Sequence, residues 1–238
     1  MGGARRGEGA AVGGRGVGRQ AGDAGRGLYD LASPEALKTG EAAQGIARFD
    51  PDPATPFGRA LAAVRDVAGS TAYPGSPRVA QALLRPQDRL TLMELHPAEH
   101  AALARAVPGA AVHRRDGFEA LLALAPPTPR RGLLLVDSSY EVKAEYEATA
   151  AFVRRLLARW PEAAVLVWYP LLPAGRHADL LAGLHPLRPS VDEVGFTPAP
   201  ARGMTGSGLA LLNAPHGAEA AFAAAHAQAA PVLGPLRA

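Results

Sequence analysis

One segment limits the possible folds of this chain more than any other: Arg131-Gly132-Leu133-Leu134-Leu135-Val136-Asp137-Ser138-Ser139-Tyr140. An uninterrupted aliphatic run flanked by turn residues is typical of a strand buried on both faces of a parallel sheet. Ligands of open α/β sheets bind at the carboxyl ends of such strands, which makes Asp137 and Tyr140 candidate site residues. The alternative is that Asp137 only begins a loop and that one of the two serines caps the next helix.

The segments around this strand alternate between strand and helix. Strands are predicted at 90–95, 110–114, 132–136, 163–168, 191–197 and 208–213. Helices are predicted at 35–47, 56–67, 77–84, 97–107, 117–124, 142–160 and 218–230, with Ser76 as the N-cap of the third. The β-α units predict an α/β fold whose sheet is mostly parallel, with helices on both faces. The last two strands predict an antiparallel pair at the C-terminal end.

The first 23 residues are rich in glycine, arginine and alanine and hold almost no large apolar side chain. Such a segment buries too little surface to offset its ordering entropy, so we predict a disordered arm over 1–23 and a folded domain over 24–238. The arm either contacts RNA or results from a misassigned or frame-shifted start. Gly25-Arg26-Gly27 looks like part of a glycine-rich turn, but we predict no strand before it.

Composition excludes several classes of site. The 238 residues include no cysteine, so the chain has neither disulfides nor thiolate metal ligands. Neither a membrane-length apolar span nor a His-Glu-x-x-His pattern occurs, and we expect a soluble intracellular protein without a metal. The net charge of +3 suits a nucleic-acid partner but does not require one.

Three acids follow three successive predicted strands: Glu94, Asp116 and Asp137. In a parallel sheet they would project into one crevice, where acids accept hydrogen bonds from ribose hydroxyls and from nucleobase amino groups. Taken singly, Glu94 could be a surface charge or a helix cap, and Asp116 could cap the helix that starts at Gly117. Together they favour a nucleotide site.

From about Ala24 to Pro215 the chain resembles the bacterial 23S ribosomal RNA adenine-N6 methyltransferases of the RlmJ type. The matching segments are 24–29, 39–41, Tyr73-Pro74-Gly75-Ser76-Pro77, Glu94-Leu95-His96-Pro97, Arg115-Asp116-Gly117-Phe118, Trp168-Tyr169-Pro170 and 202–208. The resemblance implies a Rossmann-like, S-adenosylmethionine-dependent methyltransferase sheet. It also implies 23S rRNA as partner, a cytoplasmic location and no membrane; we expect a monomer.

The resemblance assigns roles residue by residue. Cofactor-binding positions are Ser76, Glu94, Asp116 and Gly117. Asp137 matches the acid of an Asp-Pro-Pro-Tyr motif and would orient the N6 amine as the catalytic residue, while Tyr140 would stack on the adenine. Arg202, in the last matching segment, is expected to contact the RNA.

The chain departs from the family pattern in two places. Ser138-Ser139 replaces two prolines, which predicts a looser turn because proline fixes φ. The family's N-terminal segment, with its first strand, is not recognisable, and we expect that strand to be missing. The two departures predict weak cofactor binding and slow turnover; the alternative is an impaired homologue that only binds RNA.

Overall fold

A computed structural model of the chain describes residues 10–14, 27–39, 46, 49–196 and 203–233. The strands within these residues are β1 (Ala10–Gly14), β2 (Leu28–Asp30), β3 (Ala72–Pro74), β4 (Arg89–Met93), β5 (Ala111–His113), β6 (Leu133–Asp137), β7 (Ala164–Leu171), β8 (Ser190–Gly195) and β9 (Gly206–Leu212). The helices are α1 (Pro34–Thr39), α2 (Pro56–Ala68), α3 (Ser76–Leu83), α4 (Pro97–Ala106), α5 (Gly117–Leu124), α6 (Ala144–Arg159), α7 (His177–Leu184) and α8 (Ala218–Leu233). A 3₁₀ turn, His185–Leu187, follows α7.

The larger sheet has the strand order β5-β4-β1-β6-β7-β9-β8. The first five strands in this order are parallel, while β9 runs antiparallel to both of its neighbours. This confirms the predicted mostly parallel sheet with an antiparallel pair at its C-terminal end. The smaller sheet pairs β2 with β3 in antiparallel register. It was not predicted, because the Tyr73-Pro74-Gly75 sequence is typical of a turn.

Strand β1 corrects the prediction that the first strand is missing. Ala10–Gly14 lies between β4 and β6, and its register pairs Val12 with Thr91 on one side and with Leu134 on the other. Alanine and glycine have low intrinsic β propensity, so the sequence alone did not indicate a strand. Two flanking edges supply the hydrogen-bond partners that the local sequence does not specify. The rest of the predicted arm lies outside the described residues.

Helices pack on both faces of the parallel part of the sheet, as alternation along β4 illustrates. Leu90 and Leu92 point to one face, where they pack with Leu103 and Val107 at the C-terminal end of α4. Met93 points to the opposite face and joins the larger core. That core includes buried side chains of α5, α6 and α7 together with β6, β7 and β9. The two faces therefore bury separate apolar clusters.

Most predicted elements are present with shifted ends. Strand β7 continues to Leu171, three residues past the predicted end, because β9 pairs with it through Gly206. Helix α3 begins at Ser76 with Gly75 as its N-cap, and no side chain caps it, so the prediction that Ser76 is the N-cap is wrong. Predicted residues 40–45, 47 and 197 lie outside the described residues.

Within the described part of the chain, no helix is long and apolar enough to cross a membrane.

The alternation of burial along β6 gives a direct test of its place in the sheet. Leu134 is 0% exposed, whereas its neighbour Leu133 is 42% exposed. We expect Leu134→Ala to lower the free energy of unfolding by about 2–5 kcal/mol, because it leaves a cavity in the core. The matched control, Leu133→Ala, should cost less than about 1 kcal/mol. Urea unfolding measures both; equal losses would contradict this placement of β6.

Candidate functional site

The carboxyl ends of the parallel strands form one edge of the sheet, and the three predicted acids lie along it. Glu94 directly follows β4, Asp137 is the last residue of β6, and Asp116 lies three residues after β5. Strand β1 separates β4 from β6, so the backbones of Glu94 and Asp137 are about two strand spacings, or roughly 10 Å, apart. The acids therefore share the edge that the sequence predicted for them.

Glu94 is a buried acid, only 4% exposed. Its Oε1 accepts a hydrogen bond from the backbone N–H of His96 at 2.8 Å, and its own N–H donates to the carbonyl of His113 at 3.0 Å. These contacts fix the chain between β4 and α4 and extend the pairing of β4 with β5. Among the described residues, Oε2 accepts no hydrogen bond, which leaves it able to receive a ligand hydroxyl.

Asp116 is the N-cap of α5. Its Oδ1 accepts from the backbone N–H of Glu119 at 2.9 Å, and buried Gly117 begins the helix. This satisfies one of the unpaired N–H groups at the helix start. The capping alternative is therefore realised, and a cofactor role for Asp116 would use its second oxygen.

The segment before Ser76 packs against a glycine turn. Gly27 is buried with φ +74°, and a Cβ there would come within 3.0 Å of Leu103 Cδ1 in α4. Its carbonyl accepts from the N–H of Gly75 at 3.0 Å. Ser76 is exposed and directly follows Gly75. The Gly27 contact lies against Leu103, Ala106 and Val107, at the end of α4 that is far from Glu94. The sequence pointed to this turn through Gly25-x-Gly27, but no preceding strand had been recognised.

The turn after Asp137 leaves the sheet sharply. Asp137 is still paired with Trp168 of β7, whereas Tyr140 adopts φ +54°, the left-handed region that non-glycine residues rarely occupy. The Tyr140 ring is only 4% exposed, with its centroid 4.7 Å from that of Tyr146 and 6.3 Å from that of Trp168. An adenine stacking on Tyr140 would require the ring to move out of this packing.

The two serines of this turn bond to α6. Ser138 Oγ lies 3.2 Å from Thr149 Oγ1, and both side chains are buried. Ser139 Oγ donates to the carboxylate of Glu145, with both oxygens at 3.0 Å. Nothing in the sequence indicates that Glu145 and Thr149 contact this turn, because only the packing of α6 against the sheet brings them there.

Strand β7 also carries a buried polar side chain, that of Tyr169. Fully buried Tyr169 donates its hydroxyl to Glu193 Oε1 of β8 at 2.9 Å, and its ring stacks on His177 with centroids 6.0 Å apart. Burial raises the pKa of Tyr169 well above its usual value, and the bond to Glu193 raises it further. Tyr169 is thus a core residue that connects β7 to β8 across β9.

The remaining predicted site residue, Arg202, lies outside the described residues, as do 197–201. In the part of the chain that the structure describes, no group of three or more His, Asp or Glu side chains could hold a metal ion.

The strand order and the acids at one sheet edge define a class: a Rossmann-like methyltransferase fold with a terminal antiparallel pair. The profile of the family described as "Ribosomal RNA large subunit methyltransferase D, RlmJ" matches residues 20–236. The chain belongs to this family, which confirms the resemblance seen in the sequence.

Two curated relatives carry the name of this family, and one solved structure shares the fold. The chain is 35% identical to ribosomal RNA large subunit methyltransferase J of Escherichia coli K12, over 81% of this chain and 73% of that protein. It is 31% identical to the protein of the same name in Haemophilus influenzae, over 80% and 73%. Protein LPL1258 of Legionella pneumophila matches with a TM-score of 0.78 and 26% identity, over 96% of this chain and 85% of that one.

The cap at Asp116 can be tested by stability. Asp116→Ala should lower the free energy of unfolding by about 1 kcal/mol, since it leaves the N–H of Glu119 without its acceptor. Asp116→Ser, which keeps an acceptor oxygen, should recover most of this loss. If urea unfolding gave equal losses for both variants, the role of Asp116 would not be capping.

Burial of Tyr140 and Tyr169 predicts alkaline sensitivity. Desolvation raises the pKa of both phenols above the usual value of 10.0. Stability is therefore fully present below about pH 10 and declines above it, because the unfolded tyrosines ionise first. Urea unfolding from about pH 8 to about pH 11 should show this decline, with a shallower slope in the Tyr140→Phe/Tyr169→Phe double variant. If stability declined with pH as steeply in the double variant as in the wild type, Tyr140 and Tyr169 would not be the cause of the decline.

Proposed function

We propose that this chain transfers a methyl group from S-adenosylmethionine to the N6 of an adenine in 23S rRNA. The observation that carries the proposal is the position of Asp137: it ends β6 at the shared sheet edge, in an acid-x-x-Tyr turn. Membership in the RlmJ family supports the reaction and the RNA class. The curated relatives are both named as methyltransferases of large-subunit rRNA.

The residues present fit the cofactor. The Cβ direction of Gly27 is occupied by Leu103, Ala106 and Val107, so this glycine packs against the end of α4. The fit therefore depends on the two acids. Glu94 keeps one oxygen for ribose hydroxyls, and Asp116 keeps one for the adenine amino group. When bound, S-adenosylmethionine supplies an electrophilic methyl group on a sulfonium.

Asp137 would act on the nucleophile. A carboxylate that accepts a hydrogen bond from the N6 amino group fixes the direction of the nitrogen lone pair, and a neighbouring backbone carbonyl can accept the second N–H. Because the ladder with β7 holds the backbone of Asp137, the direction is set by a rigid element. Positioning of this kind contributes most of the rate in a transfer that needs in-line geometry.

The proposal includes the partners and the location. The target adenine must be unpaired or flipped to reach the sheet edge. The net charge of +3, with arginine far exceeding lysine in the sequence, is compatible with an RNA partner. We propose that the protein works on 23S rRNA in the cytoplasm as a monomer.

Asp137→Ala tests the proposed reaction. We expect methyl incorporation from labelled S-adenosylmethionine into a 23S rRNA fragment to fall by about a hundredfold or more, because the amine loses its orienting acceptor. Binding of S-adenosylhomocysteine, measured by calorimetry, should change less than about threefold. Glu141→Ala is the matched control: this exposed acid follows the same turn and should leave both quantities unchanged.

Two outcomes would contradict the proposal. Equal methylation by the wild type and Asp137→Ala would remove Asp137 from the reaction. No methylation by the wild type, combined with RNA binding that weakens steeply with salt and does not depend on cofactor, would instead favour an RNA-binding homologue without activity.

A further inference from the structure

The turn from Asp137 to Tyr140 stores backbone strain. Tyr140 is an aromatic residue at φ +54°. Such a conformation is disfavoured for an aromatic residue and persists only where the surroundings over-determine it. Some set of contacts must therefore hold this turn in place.

Those contacts come from one side of α6. Ser138 bonds to Thr149, Ser139 bonds to Glu145, and the ring of Tyr140 packs on Tyr146. Glu145 and Thr149 are four residues apart and Tyr146 and Thr149 three apart, so they share a helix face. Three consecutive turn residues thus each contact the first two turns of α6.

Both hydrogen bonds are of kinds that hold a turn firmly. Ser138 and Thr149 are buried, so water cannot replace the bond between their hydroxyls. Glu145 is only 7% exposed and lies in the first turn of α6, where the helix dipole favours its negative charge. A hydrogen bond to a charged acceptor is stronger than one between neutral groups. Together these contacts offset the strain at Tyr140.

We propose that Glu145 and Thr149 are positioning residues for Asp137, and that their hydrogen bonds to Ser139 and Ser138 fix the turn in its reactive shape. The inference rests on the proposed function. It replaces the expectation of a loose turn: where the family pattern has two prolines, this chain fixes the same segment with side-chain bonds to α6.

A mutant cycle tests the Glu145 bond. Glu145→Ala, Ser139→Ala and the double variant should each lower kcat by the same factor, about tenfold or more, because each breaks the same contact. The KM for S-adenosylmethionine should stay within about twofold, since the turn does not hold the cofactor. Glu147→Ala is the matched control: it lies in the same helical turn with its side chain 73% exposed, and it should have wild-type kcat.

The Thr149 bond has its own pair of variants. Thr149→Val keeps the shape of the side chain but removes the hydroxyl, so kcat should fall; Thr149→Ser keeps the hydroxyl and should restore most of it.

A proline background tests the same contacts in another way. In a Ser138→Pro/Ser139→Pro background, Glu145→Ala should no longer lower kcat, because the proline rings then restrict the turn. Unfolding midpoints identify variants that fail to fold, and kcat is expressed per folded molecule.

Hydrogen exchange separates this inference from the proposed function. The backbone amides of Tyr140 and Glu141 should exchange faster in Glu145→Ala and Thr149→Val than in Glu147→Ala, whether or not the protein methylates RNA. Unchanged exchange would overturn the inference even in an active enzyme, as would kcat losses that multiply in the double variant. If exchange is faster in these two variants but the wild type does not methylate RNA, only the proposed function is contradicted.

Discussion

The site depends on the parallel ladder that holds β6 between β1 and β7. Asp137 is the last residue of that ladder, paired with Trp168, so its backbone is as rigid as the sheet. One residue later the chain leaves the sheet and has no ladder partner to fix it. The acid therefore has a rigid backbone on its N-terminal side and a turn on its C-terminal side that other contacts must hold. Every property proposed for Asp137 depends on this junction.

The sequence predicted the elements whose local signal agrees with their place in the fold. The aliphatic run of β6, flanked by turn residues, is typical of a buried strand, and the β-α alternation around it leaves few topologies. Strand β1 was missed because its alanines and glycines carry no strand signal and only its neighbours make it a strand. Gly75, not Ser76, is the N-cap of α3 for a similar reason. The position of Gly75 is set by β3, which ends just before it, and by the bond from its N–H to the carbonyl of Gly27, and the local sequence indicates neither.

In the candidate site, too, some features were predicted from the sequence and others are determined only by the fold. That Glu94, Asp116 and Asp137 share a sheet edge follows from the parallel direction of the strands that precede them, and it was predicted. The capping bond of Asp116 was predicted only as the alternative to a ligand role, and Glu94 likewise uses one oxygen on a neighbouring backbone N–H. The cap and the ligand readings, first treated as alternatives, are compatible, since a carboxylate has two oxygens. The capping bond also orients the second oxygen, which makes the acid a better-defined acceptor.

Prolines and hydrogen bonds restrict a turn at different stages of folding. A proline limits φ in the unfolded chain as well, so the restriction is present before any packing. The bonds from Ser138 and Ser139 exist only once Thr149 and Glu145 have been brought to the turn by the packing of α6 against the core. The geometry of Asp137 is then coupled to the docking of a helix whose buried residues include Tyr146, Val153 and Leu156. In this chain, a substitution in the core beneath α6 would therefore alter the position of Asp137 through the hydrogen bonds of Ser138 and Ser139.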